Sequence, residues 1–315
     1  SGHYDNNVIV EWTTIFNNNV AGAPPLAARR YAIFINGIYK ALVNNPTLLQ
    51  SAVANETANL LAATLLPSIN VSSVYSKFPN LDSLTGITSF VSTFLSSVGV
   101  IPSNATSATY SLPVAAQNKW TGTNPVLPNW NSTNISYMAN TYTTAAHNPA
   151  STMADDAKSL SAITRTPTTN EIAYHFANTP PPAHMIGIAC SILVQKELSL
   201  LKLAQILSLI GIAMADGGIY AWTTKFTYWG ARPFQYINGY SPLITTPNFP
   251  GYISGHSTFS GAWDQILGML EPSTKDIAKY IADLSGISRL YGGIHFSDDN
   301  VTGLTAGRNI GLSLI

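Results

Sequence analysis

The sequence predicts an all-α fold, a helical bundle interrupted by one long irregular excursion at about residues 102–150. Three observations lead to this prediction. Apolar residues recur at three- and four-residue spacing along most of the chain, which is the period of an amphipathic helix. No segment shows the strict alternation of a half-buried strand, and no internal repeat stands out. Of the 315 residues 46% are hydrophobic, so we expect a single domain with a sizeable core over 1–315.

The N-terminal half, about residues 1–100, is predicted to be a helical support for the rest of the molecule. Residues 24–44 open with two prolines, which suit the first turn of a helix, and continue with helical apolar spacing. Residues 48–69 have the same spacing, and Pro67 ends that helix. Residues 81–101 predict a weaker helix because Ser and Thr are frequent there.

Residues 102–150 form the irregular excursion. Pro, Asn, Thr and Trp crowd there without the period of a helix or a strand, so the segment is predicted to be a long loop. A loop of this length within a compact domain is usually functional or covers another part of the molecule.

Helices are expected to return in the C-terminal half, about residues 180–315, which also holds the candidate site. Residues 180–222 are apolar at helical spacing and long enough for two helices in succession. Another helix is expected to begin near Ser254. Residues 272–293 carry a proline at the first-turn position, and a last helix is predicted from near Asp298 to the end.

Composition and charge argue against several classes of function. Lys and Arg number 15, as do Asp and Glu, so the sequence lacks the basic excess expected of a nucleic-acid-binding protein. No run of about 18 or more apolar residues is present, so we expect no transmembrane segment. A net charge of zero gives little repulsion between copies, which permits self-association.

Weaker features favour a secreted protein. The one cysteine, Cys190, lies in an apolar run and allows no intrachain disulfide. The sequence begins with Ser1 and Gly2 rather than Met, which is typical of a processed terminus. We therefore expect an extracellular protein that carries N-linked glycans at some of its sequons, although a chain this rich in Asn, Ser and Thr contains many by chance. The sequons stand at Asn55, Asn70, Asn104, Asn131, Asn134 and Asn300.

The second half of the chain concentrates cations and hydroxyl groups that together suit an oxyanion. Lys and Arg are few, yet Lys225, Arg232 and Arg289 fall close to histidines in segments typical of helix ends. Such side chains offer many donors, and Arg presents them in a planar fork. Ser254 adds a hydroxyl, and Gly255 adds a backbone N–H at the expected start of a helix, where the dipole favours an anion.

Two histidines could supply the chemistry at such a pocket. Of His256 and His295, one can donate an imidazole nitrogen to a central atom as nucleophile or ligand, and the other can move a proton. Asp299 lies four residues after His295, which is about one helical turn. This carboxylate is placed to orient that imidazole or to balance Arg289.

Each of these residues also has a purely structural interpretation. A single histidine such as His256 is more often a core residue than a catalytic one, and Arg232 before Pro233 is typical of a helix end. Ser254 can be an ordinary helix cap and Asp299 an ordinary first-turn acid. Together these interpretations are weaker, because a bundle that gathers three cations and two histidines needs an anion to offset them.

The spacing of these residues resembles the motif shared by vanadium-dependent haloperoxidases and type 2 phosphatidic acid phosphatases. The motif is Lys, six residues, Arg-Pro, then Ser-Gly-His, then Ser-Arg, five residues, His, three residues and Asp. The strict match covers residues 225–299 with every internal spacing kept. Ile253 stands where the family usually has proline, which should loosen the turn slightly. In this sequence the motif reads Lys225, Arg232-Pro233, Ser254-Gly255-His256, Ser288-Arg289, His295 and Asp299.

In the haloperoxidase branch, the resemblance implies an all-α fold of that type and a vanadate cofactor in the pocket. Hydrogen peroxide and a halide would be the reactants and hypohalous acid the product. His295 would be the axial ligand of vanadate, whereas His256 would bond its apical oxygen and handle the protons of peroxide. The resemblance implies that the equatorial oxygens are held by Lys225, Arg232, Ser254, Gly255 and Arg289.

Two aromatic residues also fit the haloperoxidase branch. Trp222 lies three residues before Lys225, and Phe249 lies seven residues before His256. In the family an aromatic residue near this second position lines the halide side of the pocket, so Phe249 implies a pocket for chloride or for a broad range of halides. Plain core packing explains Phe249 equally well.

Two other functions stay open. Phosphate has the shape and charge of vanadate, so the pocket would also suit a soluble, vanadate-sensitive acid phosphatase. His295 would then be the nucleophile toward a phosphate ester and His256 the proton donor. The long helical N-terminal half is more similar to the haloperoxidase branch. The third function is an assembly or surface protein that keeps the fold, which the low charge and the polar excursion would suit.

Overall fold

The computed structural model describes residues 2–100, 103–130 and 146–315. Within these residues the regular structure is helical and contains no strand, apart from an isolated bridge between Lys119 and Gly230. The prediction of an all-α fold is confirmed. The α-helices of the described residues are α1 (Gly2–Asn19), α2 (Pro24–Asn44), α3 (Gln50–Leu65), α4 (Ser72–Tyr75), α5 (Thr85–Val98), α6 (Met153–Ser161), α7 (Pro167–Ala177), α8 (Pro181–Leu193), α9 (Leu200–Tyr228), α10 (Pro233–Tyr236), α11 (Gly255–Leu270), α12 (Lys275–Tyr291) and α13 (Ser297–Ser313).

Most of the predicted helices are found where the sequence places them. α2 has the predicted bounds, and α8 and α9 are the two helices expected from residue 180 onward. α5 is shorter than predicted because it ends at Gly99, whose φ of 62° lies in the left-handed region that terminates helices. α11 begins directly after Ser254, and α13 begins one residue before Asp298.

α6 and α7 are not among the helices predicted from the sequence. The prediction that helices return only at about residue 180 is wrong, since these two helices lie between residues 153 and 177. α7 has a clear local origin. The Oγ1 atom of Thr166 accepts a hydrogen bond from the N–H of Thr169 at 3.2 Å, and Pro167 occupies the first helical position.

α1 is also absent from the helices predicted from the sequence. This helix buries Val8, Trp12 and Phe16, which follow one another at four-residue spacing and share one face. The asparagines at both ends of the segment hide that periodicity in a plain reading of the sequence.

Backbone contacts divide the chain into two compact units. The first unit comprises residues 1–22, 26–100 and 182–212. Its core contains a stacked aromatic pair, Phe16 and Phe34, whose ring centroids lie 4.5 Å apart. The single domain expected over the whole chain stays a prediction.

The second unit comprises residues 23–25, 101–181 and 213–315. In this unit α11 packs against both α12 and α13. α13 approaches α11 closely at Gly307, where an added Cβ atom would overlap the carbonyl oxygen of Thr258. The close approach positions the first turns of α11 and α13, which carry residues of the candidate site.

The irregular excursion belongs to the second unit. Val126 anchors it at two points, because its N–H donates to the carbonyl of Asn248 at 3.0 Å and its carbonyl accepts the indole N–H of Trp222 at 3.0 Å. The predicted excursion therefore covers part of the site, as loops of this length often do. Residue 102 and residues 131–145 of the excursion lie outside the described residues.

Of the described helices, α9 is long and apolar enough by length and composition to cross a membrane. However, 78% of its apolar window is buried within the protein, as is typical of a core helix. The expected lack of a transmembrane segment stays a prediction.

Two of the sequon asparagines are buried. The Oδ1 atom of Asn55 accepts the indole N–H of Trp12 at 2.8 Å, and Oδ1 of Asn300 accepts the hydroxyl of Ser257 at 2.7 Å. A glycan on either side chain would conflict with this packing. Asn70 is exposed. The remaining sequons lie outside the residues whose side chains the structure describes, namely Asn104, Asn131 and Asn134.

Candidate functional site

The Ser-Gly-His residues form the start of α11. The Oγ atom of Ser254 accepts a hydrogen bond from the N–H of Ser257 at 3.2 Å, so Ser254 caps the helix. Its own N–H donates to the carbonyl of Asp299 at 3.0 Å, which links this turn to α13. Ile253, the residue that departs from the family pattern, is buried beside this intact cap. The N–H groups at the start of α11, beginning with Gly255, place the positive end of the helix dipole here.

Lys225 lies in the last turn of α9 and is completely buried. Its Nζ atom donates to the carbonyl oxygens of Pro250 at 2.8 Å and Gly251 at 2.9 Å. The same atom lies 5.5 Å from the ring centroid of Trp222 and 5.0 Å from that of Phe249. An ammonium group has three donors, so one remains after the two carbonyl bonds.

Arg232 directly precedes α10 and is also completely buried. Its Nε atom donates to the carbonyl of Phe249 at 2.9 Å. Its Nη1 atom lies 3.0 Å from the carbonyl oxygen of Ile294 and 3.0 Å from Nε2 of His295. Its Nη2 atom is buried and has no hydrogen-bond partner among the described residues. Because an unpaired buried donor is costly, Nη2 is a strong candidate for binding an anion.

Arg289 lies in the last turn of α12 and is 3% exposed. Its Nε atom donates to the hydroxyl of Ser288 at 3.0 Å, and its Nη2 atom donates to the carbonyl of Ala173 in α7 at 3.2 Å. Within the described part of the chain, no ion pair involves Lys225, Arg232 or Arg289. Among the described residues, these three buried cations therefore have no directly paired carboxylate.

His295 and Asp299 form a buried pair. The Nδ1 atom of His295 lies 2.8 Å from Oδ2 of Asp299, which also accepts the N–H of Phe296 at 3.1 Å. The other ring nitrogen, Nε2, faces Nη1 of Arg232, which can only donate. Nδ1 therefore carries the proton and Nε2 carries the lone pair, as a nucleophile or a metal ligand requires.

Burial shifts the pKa values of the three cations, His295 and Asp299 toward their neutral forms. Burial lowers the pKa of Lys225 well below its ordinary value, and the charge of Arg232 adds to this shift. Burial also lowers the pKa of Arg232 to about 9 and that of Arg289 to about 10. Burial and the three cations hold the pKa of His295 well below its usual range. Burial raises the pKa of Asp299 to about 7 although the Lys225 and Arg232 charges oppose it. A bound anion would favour the charged forms of the three cations.

His256 is half-buried in the first turn of α11. Its Nε2 atom lies 2.9 Å from the carbonyl oxygen of Phe176 in α7. A carbonyl oxygen can only accept, so Nε2 carries a proton and the lone pair of the neutral ring lies on Nδ1. The predicted role of His256 in proton transfer stays a prediction, but the structure identifies Nδ1 as the nitrogen able to accept a proton.

Part of the predicted site lines a cavity of about 180 Å³ in the second unit. Four predicted residues with polar functions line it, namely Gly255, His256, Arg289 and His295. Its apolar wall includes Phe259 and both predicted aromatic residues, Trp222 and Phe249, whose ring centroids lie 4.8 Å apart. Phe249 therefore faces a cavity and does more than fill the core.

The other predicted residues lie next to the lining groups without lining the cavity themselves. Arg232 and Asp299 each contact the imidazole of His295. Lys225 lies against the ring of Phe249, and Ser254 directly precedes Gly255 in the chain.

Two contributors escaped the sequence analysis because they act through the backbone. The carbonyls of Ala173 and Phe176 hold Arg289 and His256. Every residue has a carbonyl group, so no residue pattern points to these two. The only available indication was α7 itself, whose Thr-Pro start is a recognisable helix signal.

The C-terminal part of the chain, which carries the motif, is similar in sequence to a known superfamily. Residues 203–315 match the model of the PAP2 superfamily. This match contains every residue of the predicted motif, so the predicted resemblance to the superfamily is confirmed. No curated protein sequence matches the chain.

Solved structures share the fold of this chain over most of its length. A bacterial vanadium-dependent iodoperoxidase superposes with a TM-score of 0.75 at 19% identity, covering 97% of this chain and 94% of that one. A holo-type bacterial vanadium-dependent chloroperoxidase gives a TM-score of 0.69 at 12% identity, covering 93% and 92%. An apo-type bacterial vanadium-dependent chloroperoxidase gives 0.70 at 13% identity, covering 91% and 90%. The chain has the all-α fold of these haloperoxidases.

Proposed function

We propose that this protein is a vanadium-dependent haloperoxidase, which oxidises a halide with hydrogen peroxide to hypohalous acid. The observation that carries the proposal is the buried Nη2 atom of Arg232, which lacks a partner among the described residues. It belongs to a cluster in which Lys225 and Arg289 are buried as well, and such a cluster needs an anion. The likeness to haloperoxidase structures over nearly the whole chain supports vanadate as that anion.

The donor groups of this cluster are suited to bind vanadate, because vanadate is an oxyanion. Arg232, Arg289 and Lys225 would offer charged donors, and the Ser254 hydroxyl and the N–H groups at the start of α11 would offer neutral ones. His295 would provide the ligand through its Nε2 lone pair. In the described ranges no group of three His, Cys, Asp or Glu side chains is arranged to hold a metal ion. Vanadium would therefore be held through its oxygen atoms and one imidazole.

The chain would contribute charge stabilisation and proton transfer. Vanadate, when bound, supplies a Lewis acid that activates peroxide without a change of oxidation state. The three cations would withdraw negative charge from the oxygen atoms that they bind, in a buried site where water screens them little. His256 would accept a proton from hydrogen peroxide at Nδ1, because its Nε2 already donates to Phe176.

The cavity suits small reactants. Its volume of about 180 Å³ is adequate for a halide and hydrogen peroxide but small for a large organic substrate. The aromatic wall formed by Trp222, Phe249 and Phe259 gives a halide an apolar surface beside the cations. This arrangement supports the inorganic reactants that the motif implies.

The decisive experiment measures vanadate binding and halide oxidation separately. Orthovanadate is titrated into the purified protein and followed by ⁵¹V NMR, and oxidation of iodide, bromide and chloride is then assayed with hydrogen peroxide. We expect turnover that depends on vanadate, and loss of both binding and turnover in His295→Ala. His147→Ala is the matched control, since His147 does not line the cavity. Vanadate binding without oxidation of any halide would contradict the proposal.

A phosphatase is the second candidate, and the PAP2 match over residues 203–315 favours it. The Nε2 atom of His295 would attack phosphorus and form a P–N bond while the bond to the ester oxygen breaks. The departing alcohol would take its proton from His256, and water would then release phosphate. Hydrolysis of p-nitrophenyl phosphate that vanadate inhibits, without halide oxidation, would favour this function. The absence of both activities would favour an assembly or surface role.

We also propose that the protein acts outside the cell, where it would meet peroxide and halide. The proposal is supported by the low content of charged residues, 10%, and by the exposed sequon at Asn70. Intact-mass measurement on protein from the native source tests it. A glycan that is lost in Asn70→Gln would support the proposal, and a cytosolic pool of unmodified chain would contradict it.

A further inference from the structure

We propose that the C-terminal turn of α7 is a positioning element for the anion site, in which the backbone carbonyls of Ala173 and Phe176 set the direction of Arg289 and the tautomer of His256. The positioning itself follows from contacts within the second unit. Only its consequence for turnover rests on the proposed function.

Two hydrogen bonds connect α7 to the cavity lining. The carbonyl oxygen of Ala173 accepts Nη2 of Arg289 at 3.2 Å, and that of Phe176 lies 2.9 Å from Nε2 of His256. Ala173 and Phe176 are three residues apart, so their positions lie on the same side of the helix. One helix face therefore holds one residue from α12 and one from α11.

The end of a helix is chemically suited to this task. The last four carbonyls of a helix lack intrahelical partners, and Phe176 is among them in α7. These groups also form the negative end of the helix dipole, which stabilises a cation or an N–H donor. Arg289 and an imidazole with a protonated Nε2 are such groups.

α7 is held firmly enough to position its partners. Ala173 is completely buried in a cluster with Ile244 and Ile294, and Ile294 lines the cavity directly before His295. At the other end, Arg165 precedes the capped start of α7 and donates to the carbonyl of Ser241 at 2.6 Å. The helix is therefore anchored through Ser241 to the loop after α10, and through Ile294 to the loop that carries His295.

The contact with Phe176 has a specific chemical consequence for His256. Because Nε2 donates to a carbonyl, the neutral ring keeps its lone pair on Nδ1. α7 therefore determines which nitrogen of His256 can accept a proton.

The first test reads the tautomer directly. Protein labelled with ¹⁵N-histidine is measured by long-range ¹H–¹⁵N NMR, and the signals of His256 among the six histidines are assigned with His256→Gln. We expect a protonated Nε2 and an unprotonated Nδ1 in the neutral ring. A protonated Nδ1 would overturn the proposal.

The second test disturbs the two carbonyls with one substitution. Ala177→Pro forces Phe176 away from the helical region and places the proline ring against the carbonyl of Ala173. The matched control is Asn178→Pro, which disturbs the Tyr174 carbonyl that Asn178 bonds within the same helix end. Ala177 and Asn178 are both exposed.

For Ala177→Pro we expect mixed His256 tautomers and a loss of orthovanadate affinity of about fivefold or more, from the displaced charged hydrogen bond. Asn178→Pro should match the wild type in both measurements. If folded Ala177→Pro, checked by circular dichroism, keeps the wild-type tautomer and affinity, the proposal is wrong. Orthophosphate titration gives the same comparison if the protein is a phosphatase, so failure of the proposed function does not affect the test.

A third test remains valid even if the proline variant does not fold. The amide nitrogen of Gln occupies the place of the imidazole Nε2, whereas the shorter Asn cannot reach it. We expect His256→Gln to keep the bond to Phe176 and to melt about 2 °C above His256→Asn. Equal melting temperatures would show that the contact with Phe176 does not hold His256.

Discussion

The Nη1 atom of Arg232 lies 3.0 Å from Nε2 of His295, whose other nitrogen lies 2.8 Å from Oδ2 of Asp299. The donor properties of these three side chains leave one arrangement of protons for the neutral imidazole, with the lone pair on Nε2. The central atom of a bound oxyanion would take that lone pair, and Arg232 would then no longer donate to it. Anion binding should therefore transfer the arginine donor from the histidine to the anion.

Replacing Arg232 by Lys should weaken anion binding although the charge is kept. A single ammonium cannot supply the fork that bonds the Phe249 carbonyl, the His295 ring and an anion at once. We expect orthovanadate affinity to fall by about 10- to 100-fold, as measured by calorimetric titration. Arg308→Lys, which changes an arginine that pairs with Asp264 and Asp283 instead, should leave the affinity unchanged. Equal affinities in the two variants would show that Nη2 of Arg232 does not bind the anion.

Replacing Asp299 by Asn should move the ring proton of His295 to Nε2, so that Nε2 no longer offers a lone pair. The amide can donate to Nδ1, which would move the ring proton to Nε2 and place it against the Arg232 donor. We expect vanadate affinity or turnover to fall by about 10- to 100-fold, together with a changed ¹⁵N signal of His295. Asp298→Asn is the matched control, because the Asp298 carboxylate bonds His147 at 3.0 Å instead. A loss of the same size in the control would mean that general damage to α13 is responsible.

The stability of the protein should depend on pH through Asp299. Burial raises the pKa of this carboxyl from 3.8 to about 7, so between these values the folded state holds a proton that the unfolded state has released. The folded state then binds more protons, and the free energy of unfolding contributed by this group falls as pH rises toward 7. The slope should be at most about 1.4 kcal/mol per pH unit.

Urea unfolding from pH 4.5 to 8 measures this dependence. His295 acts in the opposite direction, since its lowered pKa costs stability as pH falls through its ordinary range. The comparison is therefore made between His295→Gln and the double variant His295→Gln/Asp299→Asn. The single variant should lose stability relative to the double variant as pH rises to about 7, with no further change above it. Parallel pH curves would contradict the buried, protonated state of Asp299.

Replacing Gly307 by Ala should destabilise the second unit. The added Cβ atom would overlap the carbonyl oxygen of Thr258, and neither backbone can move without separating α11 from α13. We expect a loss of about 1–3 kcal/mol in urea unfolding. Gly86→Ala is the matched control, because an added Cβ atom there meets nothing within 4 Å, and alanine suits the helix better. If both substitutions stabilise the protein, the two helices do not pack as closely as described.

The sequence alone was sufficient to predict much of the fold and to propose the side chains of the candidate site. α2, α8, α9 and α11 follow from helical apolar spacing and from recognisable first turns. The overlooked helices have short or interrupted apolar patterns, and burial in the tertiary structure stabilises them. The motif spacing predicted a site of three cations, two histidines and one acid, because the chemistry of such a site lies in the side chains, and the structure places these side chains in or beside one cavity.

Only the tertiary structure decided how those side chains are connected. It showed that Arg232 donates to His295 and that the Nη2 atom of Arg232 has no hydrogen-bond partner in the described part of the chain. It also showed that α7 supplies the carbonyls of Ala173 and Phe176 to the site. The physical reason is that every residue carries the same carbonyl group. Folding alone determines which carbonyl faces a cation, and therefore which nitrogen of each histidine keeps its lone pair.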